Sequence, residues 1–522
     1  MNFMNAIQNT INDEKVRTEN EALGYRTTGK ELLDLNFAVA SLRSMSDEEV
    51  ASRFKKAFCE NKILAMKWLF FARDVRQGLG ERRLFRVVLA DLVKSNPEMV
   101  IPVINLIPEY GRIDDLWCLL DDERAFKSVS VLVMKQLTED MTNMSNGKPI
   151  SLLAKWLPSC NASSAKTKEY GRKLCKELHM TESNYRKMLS KLRKYLDIVE
   201  VKMSEKNWSE IKYEAVPSKA NLIYNNAFLR NDEERRRDYL GKLEKGETKI
   251  NASTLFPHDI VHKYTNGSYY GIKSKDDTIE SLWKALPDTV NGCGNTIVVA
   301  DGSGSMTTRV DPHSSTSALD VANALAIYFA EHSSGQFKDK YITFSENPRI
   351  VDFSKCNSLH AKLQVALTYN EVANTNIEGV FDLILESAIN NHMSQEDLPA
   401  NILIISDMEF DGCACGNGVP FGSDYFGRRC YKYTAVDQTL FDSIAQRYAV
   451  AGYKMPRLIF WNVASRTGTI PVKENDLGVA LVSGFSANVA KMVMSNKLDP
   501  MECLLETLNS ERYAPVEEAL KK

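Results

Sequence analysis

The sequence predicts an α-helical solenoid followed by an α/β doubly wound domain. The chain has 522 residues, which is long for one hydrophobic core and favours two or three domains. Helical periodicity dominates from about Glu31 to Leu240, whereas strand-length apolar runs alternate with helical stretches after Asn295. This change of periodicity along the chain is the main reason to expect two different architectures.

The first architecture consists of helices separated by short loops. In Lys62–Arg76 the apolar residues recur at three- and four-residue steps, as on one face of a helix. Pro97 marks a turn, and Thr181 offers an N-capping oxygen to the helix that follows it. Few strand signals interrupt this pattern, and we find no sharp repeat period. We expect residues 1–250 to form stacked helical pairs of the solenoid kind.

The second architecture begins after a change in composition. Residues 251–290 are rich in Gly, Ser, Thr and Lys and are predicted to form a connector. In residues 291–522 continuous apolar runs alternate with helical stretches, which indicates a parallel, doubly wound sheet with buried strands. Binding groups in such sheets gather beyond the carboxyl ends of the strands. The predicted strands are NTIVVAD, KYITFSE, NILIISD, RLIFWNV and LGVALVSG.

Charge is distributed unevenly along the chain. The formal net charge is −2, but residues 151–250 carry 22 Lys and Arg against 14 Asp and Glu, whereas residues 281–522 carry 20 against 28. The middle of the chain could therefore attract a polyanion, although solvated helix faces often show a similar excess.

Neither a targeting segment nor a membrane span is predicted. The first residues lack a cationic region followed by an apolar one, and no apolar run is long enough to cross a bilayer. The ten cysteines do not show the spacing of a disulfide framework and are interpreted as reduced thiols. We expect a cytoplasmic protein without a membrane partner.

Small oxygen-bearing side chains follow two of the predicted strands. Asp301 ends the first strand and is followed by Ser303 and Ser305, and Asp407 ends the strand NILIISD. If both strands are central, these residues emerge at the same edge of the sheet. Oxygen donors without His or Cys suit a hard cation such as Mg2+. Too few protein ligands are present to complete an octahedron, so water or an external carboxylate would fill the remaining positions.

The segment Asp301-Gly-Ser303-Gly-Ser305 resembles the DxSxS motif of von Willebrand factor A domains, which begins their metal-ion-dependent adhesion site. The resemblance covers roughly residues 290–522. It implies that Ser303, Ser305 and Thr375 are hydroxyl ligands of Mg2+, or of another divalent cation such as Mn2+ or Ca2+. It also implies that Asp301 and Asp407 contact the ion directly or through water. Many relatives have Gly-Gly-Thr where this chain has Asn-Thr375-Asn.

Other interpretations of the same segment remain to be weighed. The spacing does not match a haloacid dehalogenase phosphatase, a nucleophile elbow or a phosphate-binding loop. A serine-rich helix cap after a buried strand is the simplest structural alternative, but it does not account for Thr375 and Asp407. No set of nucleophile, base and orienting residue is visible, so we expect a protein that is not an enzyme.

Several segments of the helical part carry a second resemblance. They are similar to an uncharacterised family that joins a helical region to a von Willebrand factor A domain. That family in turn resembles, more distantly, the Ro autoantigen proteins, whose TROVE module is a ring of HEAT-like repeats. The resemblance implies binding of noncoding or misfolded RNA on a basic outer surface and through the ring. The segments are Thr18–Phe37, Phe71–Arg86, Pro108–Trp117 and Lys155–Ser159.

Clustered cations in the helical part are candidates for RNA contacts. Lys187, Lys191 and Lys194 share one helix face, and Arg172 and Lys173 precede them. Such clusters suffice to bind backbone phosphates, although they are more often solvated faces. A second set of cations and three tyrosines that could stack on bases are also candidates, with core packing as the alternative. These are Arg73, Arg76, Arg82, Arg83, Arg86, Tyr170, Tyr185 and Tyr195.

Together these patterns predict an RNA-binding scaffold with a Mg2+-dependent ligand site. The alternative is a protein-binding adaptor, in which the metal captures an Asp or Glu side chain of a partner and the helices form a concave surface. A Mg2+-dependent enzyme is a third hypothesis.

Overall fold

The computed structural model describes most of the chain. The described ranges are 15–18, 20, 22–269, 271–290, 295–312, 314–344, 347–370, 376–410, 440–466, 468–473, 475–493 and 497–521, with 419–423, 429–432, 491 and 493 described as backbone only. The chain divides into two compact units, and each is assembled from two separate segments. The sheet unit comprises Met1–Ser46 and Leu255–Thr507, and the helical unit comprises Asp47–Thr254 and Leu508–Lys522.

This division differs from the three continuous ranges expected from the sequence, which were 1–250, 251–290 and 291–522. The N-terminal segment belongs to the sheet unit, and the C-terminal segment belongs to the helical unit. The expected connector contains two helices, Pro257–Thr265 and Asp277–Lys284, that form part of the sheet unit. Sequence composition could not reveal these assignments, because they depend on which surfaces the segments pack against.

Helices account for most of the chain before the large sheet, as predicted. Short 3-10 turns connect some of them, at Ile101–Leu106, Ile113–Leu119, Trp208–Glu210 and Tyr213–Ala215. The helices up to the sheet are α1 (Glu31–Phe37), α2 (Val39–Leu42), α3 (Asp47–Glu60), α4 (Lys62–Arg73), α5 (Arg82–Ser95), α6 (Pro97–Val100), α7 (Ile107–Tyr110), α8 (Glu123–Ser145), α9 (Leu153–Trp156), α10 (Ala165–Glu177), α11 (Glu182–Tyr195), α12 (Val199–Ser204), α13 (Ser218–Asn231), α14 (Glu233–Glu244), α15 (Pro257–Thr265) and α16 (Asp277–Lys284).

The remaining helices lie between and after the strands of the sheet. Further 3-10 turns occur at Gly304–Thr307, Gly335–Phe337, Gln395–Asp397 and Ala487–Val489. The helices are α17 (Ala318–His332), α18 (Leu359–Leu367), α19 (Glu378–Asn390), α20 (Leu440–Val450), α21 (Ala490–Val493), α22 (Pro500–Leu508) and α23 (Ala514–Leu520).

All five apolar runs predicted as strands form strands of one six-stranded sheet. Its order is β10-β9-β6-β3-β4-β5, and every neighbouring pair is parallel except β4 and β5. The antiparallel edge strand was not predicted, because it is short and three of its four residues are exposed. The strands are β1 (Lys15–Arg17), β2 (Leu23–Tyr25), β3 (Thr296–Asp301), β4 (Lys340–Phe344), β5 (Arg349–Asp352), β6 (Asn401–Ser406), β7 (Val419–Ser423), β8 (Arg429–Lys432), β9 (Arg457–Asn462) and β10 (Val479–Ser483).

The polar N-terminal segment packs onto this sheet unit. β1 and β2 pair antiparallel, and Tyr25 exchanges two backbone hydrogen bonds with Ile470, both 2.8 Å long. The backbone N–H of Ala40 donates to Ser483 Oγ at the end of β10 (3.0 Å), and Asn462 Nδ2 donates to the carbonyl of Phe37 (2.9 Å). These long-range bonds explain why a segment so far from the sheet in sequence belongs to the same unit.

The C-terminal residues complete the core of the helical unit. Tyr513 is 1% exposed and stacks on Tyr110, with ring centroids 5.8 Å apart, and its edge meets Phe71 at 5.9 Å. Next to it, Arg512 Nε donates to the buried carboxylate of Asp74 at 2.8 Å. The last helix, α23, is thus attached to the helical unit by aromatic packing and by a charge-assisted hydrogen bond.

Replacing Tyr513 by Ala should therefore destabilise the helical unit. Removing a fully buried aromatic ring costs about 3–5 kcal/mol, because its packing is lost and a cavity remains. Urea denaturation followed by far-ultraviolet circular dichroism would measure the effect. Ile223→Ala is the control, since Ile223 is 60% exposed and should change stability by about 0.5 kcal/mol or less. Equal effects of the two substitutions would contradict this account of the C-terminal segment.

The attachment of α23 should also depend on pH through Glu517. Hydrogen bonds from Lys521 and Lys67 lower the pKa of the Glu517 carboxyl to about 2. A carboxyl whose pKa is lowered by folding stabilises the fold above its unfolded value, near 4.5, and loses that contribution as the pH falls towards 2. Glu517→Gln should therefore be less stable than wild type at pH 6, and the difference should shrink below pH 4.5. Denaturation at pH 6, 4.5 and 3 tests this, and a constant difference would contradict it.

Candidate functional site

Four of the five predicted metal ligands meet at one edge of the sheet. Asp301 is the last residue of β3, Ser303 follows it, and Ser305 lies in the 3-10 turn that comes next. Asp407 directly follows β6, which lies parallel beside β3. The fifth predicted ligand, Thr375, lies outside the described residues.

The two serine hydroxyls have the spacing of neighbouring ligands of one ion. Ser303 Oγ and Ser305 Oγ are 3.0 Å apart, and Ser303 is 1% exposed. Two adjacent ligands of an octahedral Mg2+ ion, each bound at about 2.1 Å, lie about 3.0 Å apart. The two hydroxyls share a hydrogen bond over that distance. The pair is thus arranged so that a cation could replace the shared hydrogen bond without moving the backbone.

Both carboxylate oxygens of Asp301 accept hydrogen bonds from the protein. Ser406 Oγ donates to Oδ2 at 2.6 Å, and the backbone N–H of Ser303 donates to Oδ1 at 2.9 Å. Burial and the nearby charge of Asp407 raise the pKa of Asp301 to about 7, although these hydrogen bonds oppose the shift. Because both carboxylate oxygens of Asp301 already accept hydrogen bonds, this residue is better suited to contact a metal ion through a water molecule than to bind it directly. Ser406 was missed in the sequence, where it is simply the last residue of an apolar strand.

Asp407 differs from Asp301 because one of its oxygens lacks a donor. The backbone N–H of Glu409 donates to Oδ1 at 3.2 Å, whereas the buried Oδ2 has no hydrogen-bond donor among the described residues. Arg466 Nη2 lies 3.7 Å from Oδ2, on a side chain that is 41% exposed. Burial raises the pKa of Asp407, and the hydroxyl of Ser305 opposes the shift. The guanidinium of Arg466 pairs with Oδ2 but lies too far away to donate a hydrogen bond to it, so this buried oxygen could still bind a cation directly.

The backbone beside Asp407 adopts an uncommon conformation. Met408 is fully buried and has a φ of 64°, in the left-handed region that residues other than Gly rarely occupy. Its N–H donates to Ser406 Oγ at 3.0 Å, so the serine that holds Asp301 also holds this turn. Beyond the turn, Glu409 Oε1 accepts the N–H of Arg466 at 3.0 Å. Strained turns persist where the surrounding structure requires them, and this one points Asp407 and Glu409 in their observed directions.

The side chains present fit a weakly held hard cation. Among the described residues no three His, Cys, Asp or Glu side chains come together as a metal site, so hydroxyls and water would have to complete the coordination. Mg2+ tolerates such a site, because it keeps several of its waters and is usually bound by one or two carboxylates. Asn370, whose buried Nδ2 has no partner among the described residues, lies close to Gly302 in the same region. Nothing in the sequence pointed to Asn370.

Removing both hydroxyls should abolish cation binding without affecting the fold. We expect the double variant Ser303→Ala, Ser305→Ala to lose the rise in melting temperature that Mg2+ or Mn2+ gives the wild type. Its melting temperature in EDTA should stay close to that of the wild type, because two hydroxyls at the edge of the sheet add little to the core. Thermal unfolding with and without metal measures both effects. An EDTA-treated variant that does not fold would show that the serines are structural.

In the helical unit, three of the five predicted RNA contacts make no ion pair with a described residue, and the other two have partners. Lys187, Lys191 and Lys194 are exposed on α11 and make no ion pair with any described residue. Arg172 Nε pairs with Glu182 at 3.2 Å. Lys173 is half-buried, donates to the backbone carbonyl of Leu120, and lies 4.4 Å from the centre of the Phe126 ring. The cationic face of α11 is thus the part of the predicted RNA surface that remains available.

The five arginines of Phe71–Arg86 that were RNA-contact candidates form ion pairs within the fold. Arg73 Nε and Arg86 Nε contact the two carboxylate oxygens of Asp115, at 2.8 and 2.6 Å, and Arg82 contacts Asp114. These ion pairs favour the alternative of a structural role within the fold.

The three tyrosines proposed as stacking platforms are also engaged in hydrogen bonds within the fold. Tyr185 is buried and donates to the carbonyl of Pro158 at 3.0 Å. Tyr170 OH donates to a carboxylate, and Tyr195 OH donates to a backbone carbonyl. Core packing is therefore the better interpretation of Tyr185.

Each part of the chain matches a family model, and both models are described as domains of unknown function. Residues 18–109 and 121–296, about half of the chain, match the Domain of unknown function DUF2828. The chain belongs to the DUF2828 family. Residues 295–519 match a second model, the Domain of unknown function DUF7788, so that the DUF2828 match ends where β3 begins. The expectation of an uncharacterised family is thereby confirmed.

A viral protein is similar to this chain over most of its length. The uncharacterized protein L728 of Acanthamoeba polyphaga mimivirus is 30% identical over 545 aligned residues, which cover 96% of this chain and 88% of that protein. Within the part of the chain that the structure describes, no helix combines the length and apolar character needed to cross a bilayer.

Proposed function

We propose that this DUF2828 protein is a cytoplasmic RNA-binding scaffold. In this proposal the helical unit is a HEAT-like solenoid that binds noncoding or misfolded RNA, as its resemblance to Ro proteins implies. The sheet unit is a von Willebrand factor A-like domain with a Mg2+-dependent ligand site. The observation that carries the RNA part is the cationic face of α11, formed by Lys187, Lys191 and Lys194.

Uncompensated charge is what makes this face suitable for a polyanion. The three lysines follow one another at steps of four and three residues and therefore share one side of the helix. Phosphate groups bound there would release condensed counterions, so that affinity would fall steeply with salt. Lysines that are paired with carboxylates contribute less to RNA affinity, because each must break its ion pair before it can bind a phosphate.

The sheet unit supports the second part of the proposal. Ser303, Ser305 and Asp407 would hold the ion, and Asp301 would hold a bound water. When bound, Mg2+ would offer an open coordination position to an acidic group. The exposed side chain of Arg466 lies beside Asp407 Oδ2, so an ion would not have to displace a buried guanidinium.

Neutralising the cationic face should weaken RNA binding. We expect Lys187→Gln, Lys191→Gln, Lys194→Gln to bind a fluorescently labelled single-stranded RNA at least about tenfold more weakly at low salt. The slope of log K against log salt should fall by about 2, because each lost phosphate contact removes roughly 0.7. Fluorescence anisotropy at several salt concentrations gives both quantities.

A matched control removes the same charge elsewhere. Lys55, Lys166 and Lys242 are exposed but paired with carboxylates, at 2.7, 2.8 and 2.6 Å. Changing these three lysines to Gln should leave the salt slope nearly unchanged. If both triple variants weaken binding equally, the interaction is non-specific attraction, and the α11 face is not the site.

The protein-binding adaptor remains the second candidate, and Asp407 favours it. Its buried Oδ2 without a donor suits an ion whose coordination a partner's carboxylate completes. Analysis of one purified sample distinguishes the two functions. Protein prepared without nuclease should carry nucleic acid if it binds RNA. An adaptor would carry none and would capture an Asp-containing peptide only with Mg2+, losing it on addition of EDTA or in the Ser303→Ala, Ser305→Ala variant.

A further inference from the structure

A continuous chain of hydrogen bonds joins a serine, a histidine and an aspartate between α15 and α17. His262 Nδ1 lies 2.7 Å from Asp320 Oδ2, and His262 Nε2 lies 2.9 Å from Ser315 Oγ. His262 is on α15, Asp320 is in the first turn of α17, and Ser315 is on the loop before that helix. Both distances are those of a nucleophile, a general base and an orienting carboxylate.

The chemistry of the three side chains decides which atom donates and which accepts in each of these hydrogen bonds. An ionised carboxylate only accepts hydrogen bonds, so Nδ1 of His262 carries the proton and donates it to Asp320. Nε2 is then the acceptor for the hydroxyl proton of Ser315. Thr265 Oγ1 donates to the other oxygen of Asp320 at 2.6 Å, and the side chain of Asp320 is 3% exposed. The imidazole is therefore held in the tautomer that can take a proton from serine.

Helix capping explains only part of this arrangement. Ser317 and Asp320 form a reciprocal cap at the start of α17, in which each side chain accepts the other's backbone N–H. That cap requires neither His262 nor Ser315. The loop after α15 also comes very close to the loop that carries Ser315. A Cβ atom at Gly267 would lie only 2.8 Å from the carbonyl oxygen of Ser315. Gly267 also has a φ of 76°, so the contact depends on glycine.

Ser315 is accessible, and it lies in the loop before α17, whose first turn is near the candidate metal site. Ser315 is exposed, and its backbone N–H makes no hydrogen bond with any described residue. That N–H could stabilise an oxyanion, as the nucleophile's own amide does in serine hydrolases. The N–H of Ala318 donates to the carbonyl of Thr308 at 2.9 Å, which places the first turn of α17 beside the turn that carries Ser305. Ligand sites of open α/β sheets lie at the edge where this turn follows β3.

We propose that Ser315, His262 and Asp320 form an acyl-transfer centre that hydrolyses short, polar carboxylic esters. This activity goes beyond the proposed binding function and does not depend on it. The surroundings favour such substrates, because the neighbouring residues Asn266 and Ser268 are exposed and polar and offer no support for a long acyl chain. Esters also suit an exposed site, since an alcohol leaves more readily than an amine.

The reaction takes place in two balanced steps. Ser315 Oγ bonds to the ester carbonyl carbon while its proton passes to His262 Nε2. The bond from that carbon to the alcohol oxygen breaks, the alcohol leaves with the proton from His262, and an acyl-serine remains. Water then attacks the acyl-serine, giving its proton to His262, which returns it to Ser315 as the carboxylic acid is released.

A tagged fluorophosphonate and p-nitrophenyl acetate test this proposal on the full chain. We expect the wild type to be labelled covalently, with the label found on Ser315 by mass spectrometry of the peptides. Ser315→Ala should abolish labelling, and His262→Gln should lower both the labelling rate and ester hydrolysis by at least about 100-fold. Ser268→Ala is the control, because it removes an exposed hydroxyl close by, and it should react like the wild type.

Measurements of folding and of RNA binding show which proposal a negative result concerns. Ser315→Ala should keep the melting temperature of the wild type, since Ser315 is exposed, and His262→Gln should stay folded, since Thr265 and the N–H of Ser317 still donate to Asp320. The proposal is overturned if the folded wild type is not labelled, if the label lies on another residue, or if Ser315→Ala reacts equally fast. If the α11 variant loses RNA binding but is still labelled at Ser315, that result bears only on the RNA-binding proposal.

Discussion

In the sheet unit β3 and β6 lie side by side in parallel, with Ala300 opposite Ile405, and the candidate metal site depends on this register. The register brings Asp301 next to Ser406 and places Asp407 at the same edge. A shift of one residue would turn the alternate side chains to the other face of the sheet and separate the two carboxylates. The apolar residues of both strands hold the register, because each strand is buried almost throughout its length.

Burying two carboxylates at that edge is unfavourable without compensation. Hydrogen bonds from Ser406 and Ser303 satisfy Asp301, whereas Asp407 keeps one oxygen without a donor and a left-handed Met408 beside it. A structure that served only for stability would gain by replacing such groups with apolar ones. Two hydroxyls at the spacing of adjacent ligands lie beside these carboxylates, and this combination is the basis of the cation site that we propose.

The helical unit handles charge in the opposite way. The buried guanidinium of Arg73 is neutralised inside the fold by Asp115. On one exposed face of α11, Lys187, Lys191 and Lys194 make no ion pair with any described residue. This separation of paired from unpaired cations distinguishes structural charge from charge that could attract a partner. Only a three-dimensional arrangement reveals it, because the paired and unpaired groups look alike in the sequence.

The sequence by itself determined the helical character of the first part, the five apolar strands and the residues that follow β3 and β6. These properties are local, since periodicity and strand length follow from neighbouring residues. Tertiary structure alone decided that the N-terminal segment packs on the sheet and that Tyr513 completes the helical core. It also decided that His262 meets Ser315 and Asp320, which are 53 and 58 residues away. Contacts between distant segments depend on how whole surfaces fit together, and no short stretch of sequence records that fit.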